Sequence, residues 1–167
     1  QLLDSDLQLR LNGTSENILK DLHNELMANN IVAPLLWEDV RLLVDTFEKI
    51  TSARSLRLNL LTVNSNMCRR FHTDINDLRL LCTYSGQGTL WLPEEAADRN
   101  KHHEGGKNEA IVIKPKLIQQ TKAGDVLILK GALYPGAKAA IHRSPSIEES
   151  SEKRLLLRID TNDNLIL

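Results

Sequence analysis

Two histidines and one aspartate are the residues whose types and spacing best suit chemistry. His72 and Asp74 stand two positions apart in the sequence FHTD. In an extended strand, alternate side chains point to the same face, so His72 and Asp74 would project together. His142 is the best candidate for a third ligand, because it ends an apolar run and precedes the turn-forming Ser144-Pro145. Two histidines and one carboxylate leave the opposite coordination positions of an ion open, which suits non-haem Fe(II).

Structural roles for the same three residues stay open at this point. His-x-Asp is a short motif that occurs by chance in many proteins. His72 can end a strand, Asp74 can begin a turn that runs to Asp77, and His142 can be a hydrogen-bonded histidine at a strand end. The order of the elements between these residues is what favours a metal site.

The elements that would position the site divide the chain into a helical part and a β part. Apolar residues recur every three to four positions in two segments, which predicts helices near 15–28 and 36–50. Short apolar runs follow, and they predict strands at 56–63, 79–84, 88–92, 110–114, 125–130, 139–142 and 155–159. Short strands separated by turn signals indicate a sandwich or barrel. The polar stretches 94–108 and 144–153 are expected to be surface loops.

The order of these pieces resembles the Fe(II)/2-oxoglutarate dioxygenases, especially their prolyl-hydroxylase-like branch. That family has a His-x-Asp strand, a strand ending near Tyr, a Gly-rich turn before an apolar strand and Pro, a Gly-Asp turn, the distal His and an Arg. The matching pieces here are residues 72–74, 80–84, 86–93, 124–129, 142–145 and Arg154. The resemblance covers roughly residues 57–160 and leaves the helical part unexplained.

This resemblance implies a mainly β, α+β fold: a double-stranded β-helix, the cupin-type jelly-roll, with two N-terminal helices packed outside it. We expect a single domain over 1–167, with a helical part at about 1–54 and a jelly-roll core at about 55–167. It also implies Fe(II) and 2-oxoglutarate as cofactors, with His72, Asp74 and His142 as the metal ligands. The substrate would be a small molecule or a peptide.

A 2-oxoglutarate site also needs a basic residue on the last strand, where a planar guanidinium can hold a carboxylate through two hydrogen bonds. Arg154 and Arg158 are the candidates, and the hydroxyl of Tyr84 is a third cofactor-binding candidate. Alternation puts both arginines on one strand face, with Leu155, Leu157 and Ile159 on the other. If the leucine face lined the barrel, both arginines would point to solvent and the cosubstrate assignment would fail. Tyr84 has an equally good alternative role as an aromatic core residue.

A closer resemblance is to an uncharacterised bacterial family, domain-of-unknown-function family 1826. The segments 68–74, 80–84, 88–93 and 142–145 resemble its signature. Genes of this family lie near bacterial zinc-homeostasis genes, which implies a zinc-binding cupin-like protein, non-catalytic or hydrolytic, as the alternative. Cys68 or Cys82 as a thiolate ligand would favour zinc, although buried neutral cysteines are commoner. A further alternative is a β domain that has lost its metal and binds a protein partner.

Composition excludes several function classes. The hydrophobic fraction of 41%, the charged fraction of 26% and the net charge of −1 are those of an ordinary globular domain. They predict neither a nucleic-acid surface nor a polybasic membrane contact. The N-terminal sequence shows no signal-peptide pattern, and the two cysteines form no C-x-x-C motif, so we expect a cytoplasmic protein. The polar run 102–104 is a weaker metal candidate and a candidate lid.

Overall fold

Two antiparallel sheets and four helices make up the described part of the chain, residues 6–148 and 152–161 of a computed structural model. The helices are α1 (Ser15–Ala28), α2 (Pro34–Thr51), α3 (Arg99–His103) and α4 (Asn108–Ile111). The strands are β1 (Gln8–Gly13), β2 (Leu56–Val63), β3 (Leu78–Ser85), β4 (Leu90–Leu92), β5 (Gln119–Gln120), β6 (Val126–Lys130), β7 (Ile141–Arg143) and β8 (Arg154–Thr161). The large sheet has the order β1-β2-β8-β3-β6 and the small sheet the order β5-β4-β7.

The helices α1 and α2 cover one face of the large sheet. The hydroxyl of Thr14 caps α1 by accepting a hydrogen bond from the N–H of Asn17. Pro34 begins α2, where the missing N–H costs nothing, and Ser52 ends it in the left-handed conformation at φ 52°. The apolar stripes of both helices share one core with the leucines of the sheet. The predicted helices 15–28 and 36–50 are therefore confirmed within two residues at each end.

β8 lies in the centre of the large sheet, between β2 and β3. Its two faces have different environments, because side chains alternate along a strand. Leu155, Leu157 and Ile159 belong to the core under the helices. Leu156 belongs to a second apolar cluster on the opposite face, with Ile147 from the segment after β7. The strand thus has apolar contacts on both sides.

The mixed α+β architecture with antiparallel sheets is confirmed, and so is the position of the two long helices outside the sheets. Within the described residues the two sheets are not hydrogen-bonded into a closed barrel. The cupin-type double-stranded β-helix therefore stays a prediction. No helix in residues 6–148 and 152–161 is long and apolar enough to cross a lipid bilayer.

One predicted strand is wrong and two observed strands were not predicted. The segment 110–114 was expected to be a strand, but residues Asn108–Ile111 form α4 and only Val112 makes an isolated bridge, to Ala97. The helical turn buries Ile111 in an apolar cluster, and this tertiary contact outweighs the β-propensity of the segment. The unpredicted strands are β1, which pairs with β2 and so joins the N-terminal part to the large sheet, and the two-residue β5, which pairs with β4.

The two predicted loops have different outcomes. The stretch 94–108 contains α3 and a 3₁₀ turn, Glu94–Ala96, so it is more ordered than expected. In the stretch 144–153, residues 149–151 lie outside the described part of the chain.

Candidate metal centre

His72 and His142 are brought side by side by an isolated antiparallel bridge. The backbone N–H of each residue donates to the carbonyl oxygen of the other, and both N···O distances are 2.9 Å. The centroids of the two imidazole rings lie 4.6 Å apart. His142 belongs to β7 of the small sheet, which positions the bridge. Backbone hydrogen bonds between segments distant in sequence thus fix the spacing of the two rings.

Asp74 completes a convergent cluster with the two histidines. Its Oδ1 lies 3.5 Å from Nε2 of His72, and its Oδ2 lies 3.2 Å from Nε2 of His142. One ligand atom from each of the three residues falls within 4.8 Å of the others. Two ligand atoms each about 2.1 Å from a common ion lie roughly 3.0–3.4 Å apart at octahedral to tetrahedral angles. The two distances above go to different oxygens of Asp74 and the three ligand atoms lie within 4.8 Å of one another, so the side chains would draw closer to share one divalent cation.

The hydrogen bonds of the ring Nδ1 atoms determine what the Nε2 atoms can do. Nδ1 of His72 lies 2.9 Å from the carbonyl oxygen of Arg70, and Nδ1 of His142 lies 3.2 Å from that of Ala140. Because a carbonyl only accepts hydrogen bonds, we assign the ring proton to Nδ1 in both residues. In a neutral ring the lone pair is then on Nε2 and can bind a cation that lies between the ring and Asp74, whereas in a protonated ring the Nε2–H donates to Asp74. Such carbonyl contacts orient histidine ligands in metal sites generally.

The carboxylate of Asp74 stays ionised in this environment. Burial, the largest single influence, would raise its pKa. The imidazoles of His142 and His72, followed by the guanidinium of Arg79, hold the pKa of Asp74 well below its usual range. The contact with Asp74 in turn raises the pKa of His72. The site therefore presents an anionic carboxylate to whatever cation lies between the rings.

A buried oxygen in the site supports the fit to a cation. Oδ2 of Asp74 is buried and accepts no hydrogen bond of good geometry, although Nη1 of Arg79 lies 2.5 Å away. The short distance and the poor angle describe an ion pair that leaves a lone pair of Oδ2 uncommitted. Buried lone pairs without partners are uncommon. The ligand set of two imidazoles and one carboxylate therefore has both the spacing and the unused acceptors that a divalent metal needs.

Charged residues of the large sheet form ion pairs with Asp74 and with one another. Arg79 on β3 contacts Asp74 through Nη1 and Asp160 on β8 through Nε, with both N···O distances 2.5 Å. Asp160 also accepts a hydrogen bond from Nδ2 of Asn76, at 3.1 Å, and forms an ion pair with Nε of Arg158, at 3.0 Å. The network thus contains two carboxylates, of Asp74 and Asp160, and two guanidinium groups, of Arg79 and Arg158, so its charges balance.

Arg154 is buried, and its guanidinium has a nitrogen without a hydrogen-bond partner. Its side chain begins β8 and is only 1% exposed. Nη2 donates to the hydroxyl of Thr83 at 3.2 Å, and Nε is buried without a hydrogen-bond partner. In the described residues no carboxylate forms an ion pair with it, and burial lowers its pKa to about 10. A buried cation with unused donors is costly unless a ligand completes it.

The sequence profile of the family described as "Protein of unknown function (DUF1826)" matches residues 5–160. The chain belongs to this family. Neither the curated proteins nor the solved structures contain a match to the chain. The DUF1826 assignment thus agrees with the closer of the two sequence resemblances and carries no reaction with it.

Arg158 of this DUF1826 chain already has partners. Besides Asp160, it faces the side chain of Asn59 on β2, whose oxygen accepts from Nε at 3.2 Å and Nη2 at 3.0 Å in the amide orientation that satisfies both residues. Burial lowers the pKa of Arg158, and the charge of Asp160 acts in the opposite direction. Of the two arginines proposed from the sequence, Arg154 has a buried Nε without a hydrogen-bond partner, whereas Nε and Nη2 of Arg158 already face Asn59 and Asp160.

Tyr84 does not fit the role expected for it. Its hydroxyl donates to Oδ2 of Asp39 on α2 at 2.7 Å, and its ring packs against the core under the helices. Thr83, its neighbour on β3, contacts Arg154 from the opposite face. The sequence could not reveal this difference, because the face of a single strand residue depends on the register of the sheet. We therefore leave Tyr84 out of the candidate cofactor site.

The weaker ligand candidates also lie outside the cluster of three, as far as the described residues extend. Cys68 is exposed, and Cys82 is buried in the core on the helix side of β3. His102 lies on α3, and its carbonyl oxygen accepts a hydrogen bond from Nη2 of Arg70 at 2.9 Å. The segment 102–104 is thus hydrogen-bonded to the segment that carries His72 without contributing to the ligand set.

Two residues of the site were missed from the sequence, Arg79 and Asp160. Arg79 lies next to Leu80 in β3, Asp160 lies next to Ile159 in β8, and both strands are largely buried. A charge in a buried strand is rarely tolerated without a partner, so both positions carried a detectable signal. Their pairing could not be predicted, because it depends on the register of β3 against β8.

Proposed function

We propose that this chain is a metal-dependent oxygenase that uses Fe(II) and 2-oxoglutarate to hydroxylate a small-molecule or peptide substrate. The observation that carries the proposal is the convergence of Nε2 of His72, Nε2 of His142 and the carboxylate of Asp74, with each ring proton on Nδ1. Two imidazoles and one carboxylate are the ligands of non-haem Fe(II) oxygenases. Bound together, Fe(II) and 2-oxoglutarate would activate dioxygen, with one oxygen atom going to the substrate as a hydroxyl and the other to succinate as CO₂ is released, and the residues of the chain would bind and orient them.

Arg154 is the proposed partner of the cosubstrate. It lies on the same face of β8 as Asp160 but six residues away, about 20 Å along the strand, so its support is the unpartnered Nε and not closeness to Asp74. A carboxylate of 2-oxoglutarate would accept hydrogen bonds from its unused donors and balance a charge that is otherwise buried alone. The burial of Arg154 removes the objection that the arginines of β8 might face solvent.

The cupin-type double-stranded β-helix is the fold that we propose with this function. Its support is that elements from two antiparallel sheets meet at the site: His142 comes from the small sheet, whereas Arg79 and Asp160 come from the large sheet. A site between two sheets has walls that can exclude water from a reaction.

The test begins with protein purified without added metal, whose metal content is measured. Fe(II) and 2-oxoglutarate are then added without oxygen, and the visible spectrum is recorded for the charge-transfer band of a chelated complex. We expect the band in the wild type and in Arg41→Gln, a control that removes an exposed surface charge. Arg154→Gln should keep the metal and need at least tenfold more 2-oxoglutarate to develop the band. Metal binding without a band in the wild type would remove 2-oxoglutarate from the proposal.

A zinc-binding cupin-like protein of bacterial metal homeostasis is the second candidate. The distances of 3.2 and 3.5 Å between ligand atoms also fit tetrahedral zinc. Against it, neither cysteine joins the cluster within the described residues, and zinc binding alone gives Arg154 no role. Tight zinc, with no band after its replacement by iron, would favour this candidate.

A further inference from the structure

Arg79 is placed to control the metal site without touching the metal. We infer that Arg79 is a positioning residue, which holds Asp74 in its ligating orientation by bridging it to Asp160 on the central strand of the large sheet. The inference rests on the proposed metal site and concerns a residue that contacts no metal or substrate.

The geometry of the guanidinium makes this bridge specific. Nη1 of Arg79 contacts Oδ2 of Asp74, whereas Nε contacts Oδ1 of Asp160. These nitrogens are held at a fixed separation by the planar guanidinium, so the position of one carboxylate sets that of the other. Lysine has a single ammonium group, so it can hold either carboxylate closely but cannot reproduce the two-point bridge.

Asp160 is a firm anchor for the bridge. It is 4% exposed, accepts hydrogen bonds from Arg79 and Asn76, and forms an ion pair with Arg158. It lies on β8, which pairs with both β2 and β3. The network therefore connects Asp74, which lies between elements of regular structure, to the central strand of the large sheet.

The backbone around Asp74 is held by separate contacts. The N–H of Ala132 donates to the carbonyl oxygen of Asp74 at 2.8 Å, and that of Leu133 donates to the carbonyl oxygen of Asn76 at 3.0 Å. Gly131 allows this close approach, because a Cβ at that position would lie 2.0 Å from the carbonyl oxygen of Asn76. Loss of Arg79 should therefore free the side chain of Asp74 while leaving its main chain in place.

Free rotation of Asp74 has a direct consequence for metal binding. A carboxylate that must be ordered when the ion binds loses conformational entropy at that moment, whereas one already held by Arg79 does not. Changes to residues that orient metal ligands typically lower metal affinity about 10- to 100-fold. Arg79 should therefore raise the affinity, although its positive charge alone would repel a cation.

The experiment titrates Co(II) into metal-free full-length protein and records both the dissociation constant and the visible spectrum of the bound ion. Arg79→Gln should weaken Co(II) binding by about 10- to 100-fold and change the absorption, because Asp74 no longer approaches in one orientation. Arg79→Lys should recover part of the affinity. Asp160→Asn, which weakens the anchor while keeping Arg79, should also bind Co(II) less tightly. Arg41→Gln, the control for loss of a positive charge, should match the wild type.

The outcomes separate this inference from the proposed function. If the wild type binds no Co(II), the metal site itself is refuted. If the wild type binds and the folded Arg79→Gln and Asp160→Asn proteins bind within twofold of it with the same spectrum, Arg79 is not a positioning residue and the metal site stands. If circular dichroism reports that Arg79→Gln is unfolded, Arg79→Lys and Asp160→Asn decide the question by the same two readouts.

Discussion

Each histidine of the site uses one ring nitrogen for structure and leaves the other for chemistry. The carbonyl oxygens of Arg70 and Ala140 fix the orientation of His72 and His142 through Nδ1. This division follows from the local chain, since each carbonyl belongs to the residue two positions before the histidine. At the scale of single residues, metal binding should therefore depend on both rings, whereas folding should not.

Replacement of His72 tests this separation. His72→Ala should abolish stoichiometric metal binding and leave the circular-dichroism spectrum nearly unchanged, because the apolar cores do not include His72. His103→Ala is the matched control, since His103 is an exposed histidine on α3. Unchanged metal content in folded His72→Ala would exclude His72 from the site.

The buried charge of Arg154 should lower the free energy of unfolding of the metal-free protein, and its proposed role is in ligand binding. Arg154→Met keeps much of the side-chain volume and removes a buried charge that has no carboxylate partner in the described residues. Replacement of buried charges by apolar residues is often neutral or stabilising, by about 1–4 kcal/mol. We expect the free energy of unfolding of metal-free Arg154→Met, measured by urea titration, to equal or exceed that of the wild type. A loss of more than about 2 kcal/mol would mean that the guanidinium holds the fold together, as buried charges with real partners do.

At the scale of elements, the position of a residue on one strand face decides its role. β3 directs Cys82 and Tyr84 towards the helices, and Arg79 and Thr83 towards the opposite face. Helix periodicity was readable from the sequence because the apolar stripes of α1 and α2 repeat over several turns. The short strands carried less information, and in α4 the burial of Ile111 overrode local preference.

The reactivity of the two cysteines towards a thiol reagent tests whether α1 and α2 cover one face of β3. Burial raises the pKa of Cys82 to about 11, so at pH 8 it is almost entirely the unreactive thiol. A thiol reagent at pH 8 should therefore label the exposed Cys68 in the native protein and reach Cys82 only after unfolding in urea. Equal labelling rates for both cysteines in the native state would contradict the packing of the helices on this face.

At the scale of the whole molecule, the sequence predicted the three ligand residues, but it did not predict Arg79, which contacts Asp74, or Asp160, which contacts Arg79. His72, Asp74 and His142 could be selected because their types and order resemble a known pattern, and the structure brings them together. The bridge from Asp74 through Arg79 to Asp160 joins three segments whose proximity depends on the sheet order β8-β3. Pairing between distant strands follows from the complete topology, which no local pattern contains.

The central claim is that the triad binds Fe(II) together with 2-oxoglutarate. The most direct measurement is the visible absorption of the metal-free chain after anaerobic addition of one equivalent of Fe(II) and then 2-oxoglutarate. We expect a charge-transfer band that appears only with both additions, saturates at one iron per chain and is absent in His142→Ala. Absence of the band in a wild-type protein that demonstrably holds iron would contradict the binding of 2-oxoglutarate at this iron.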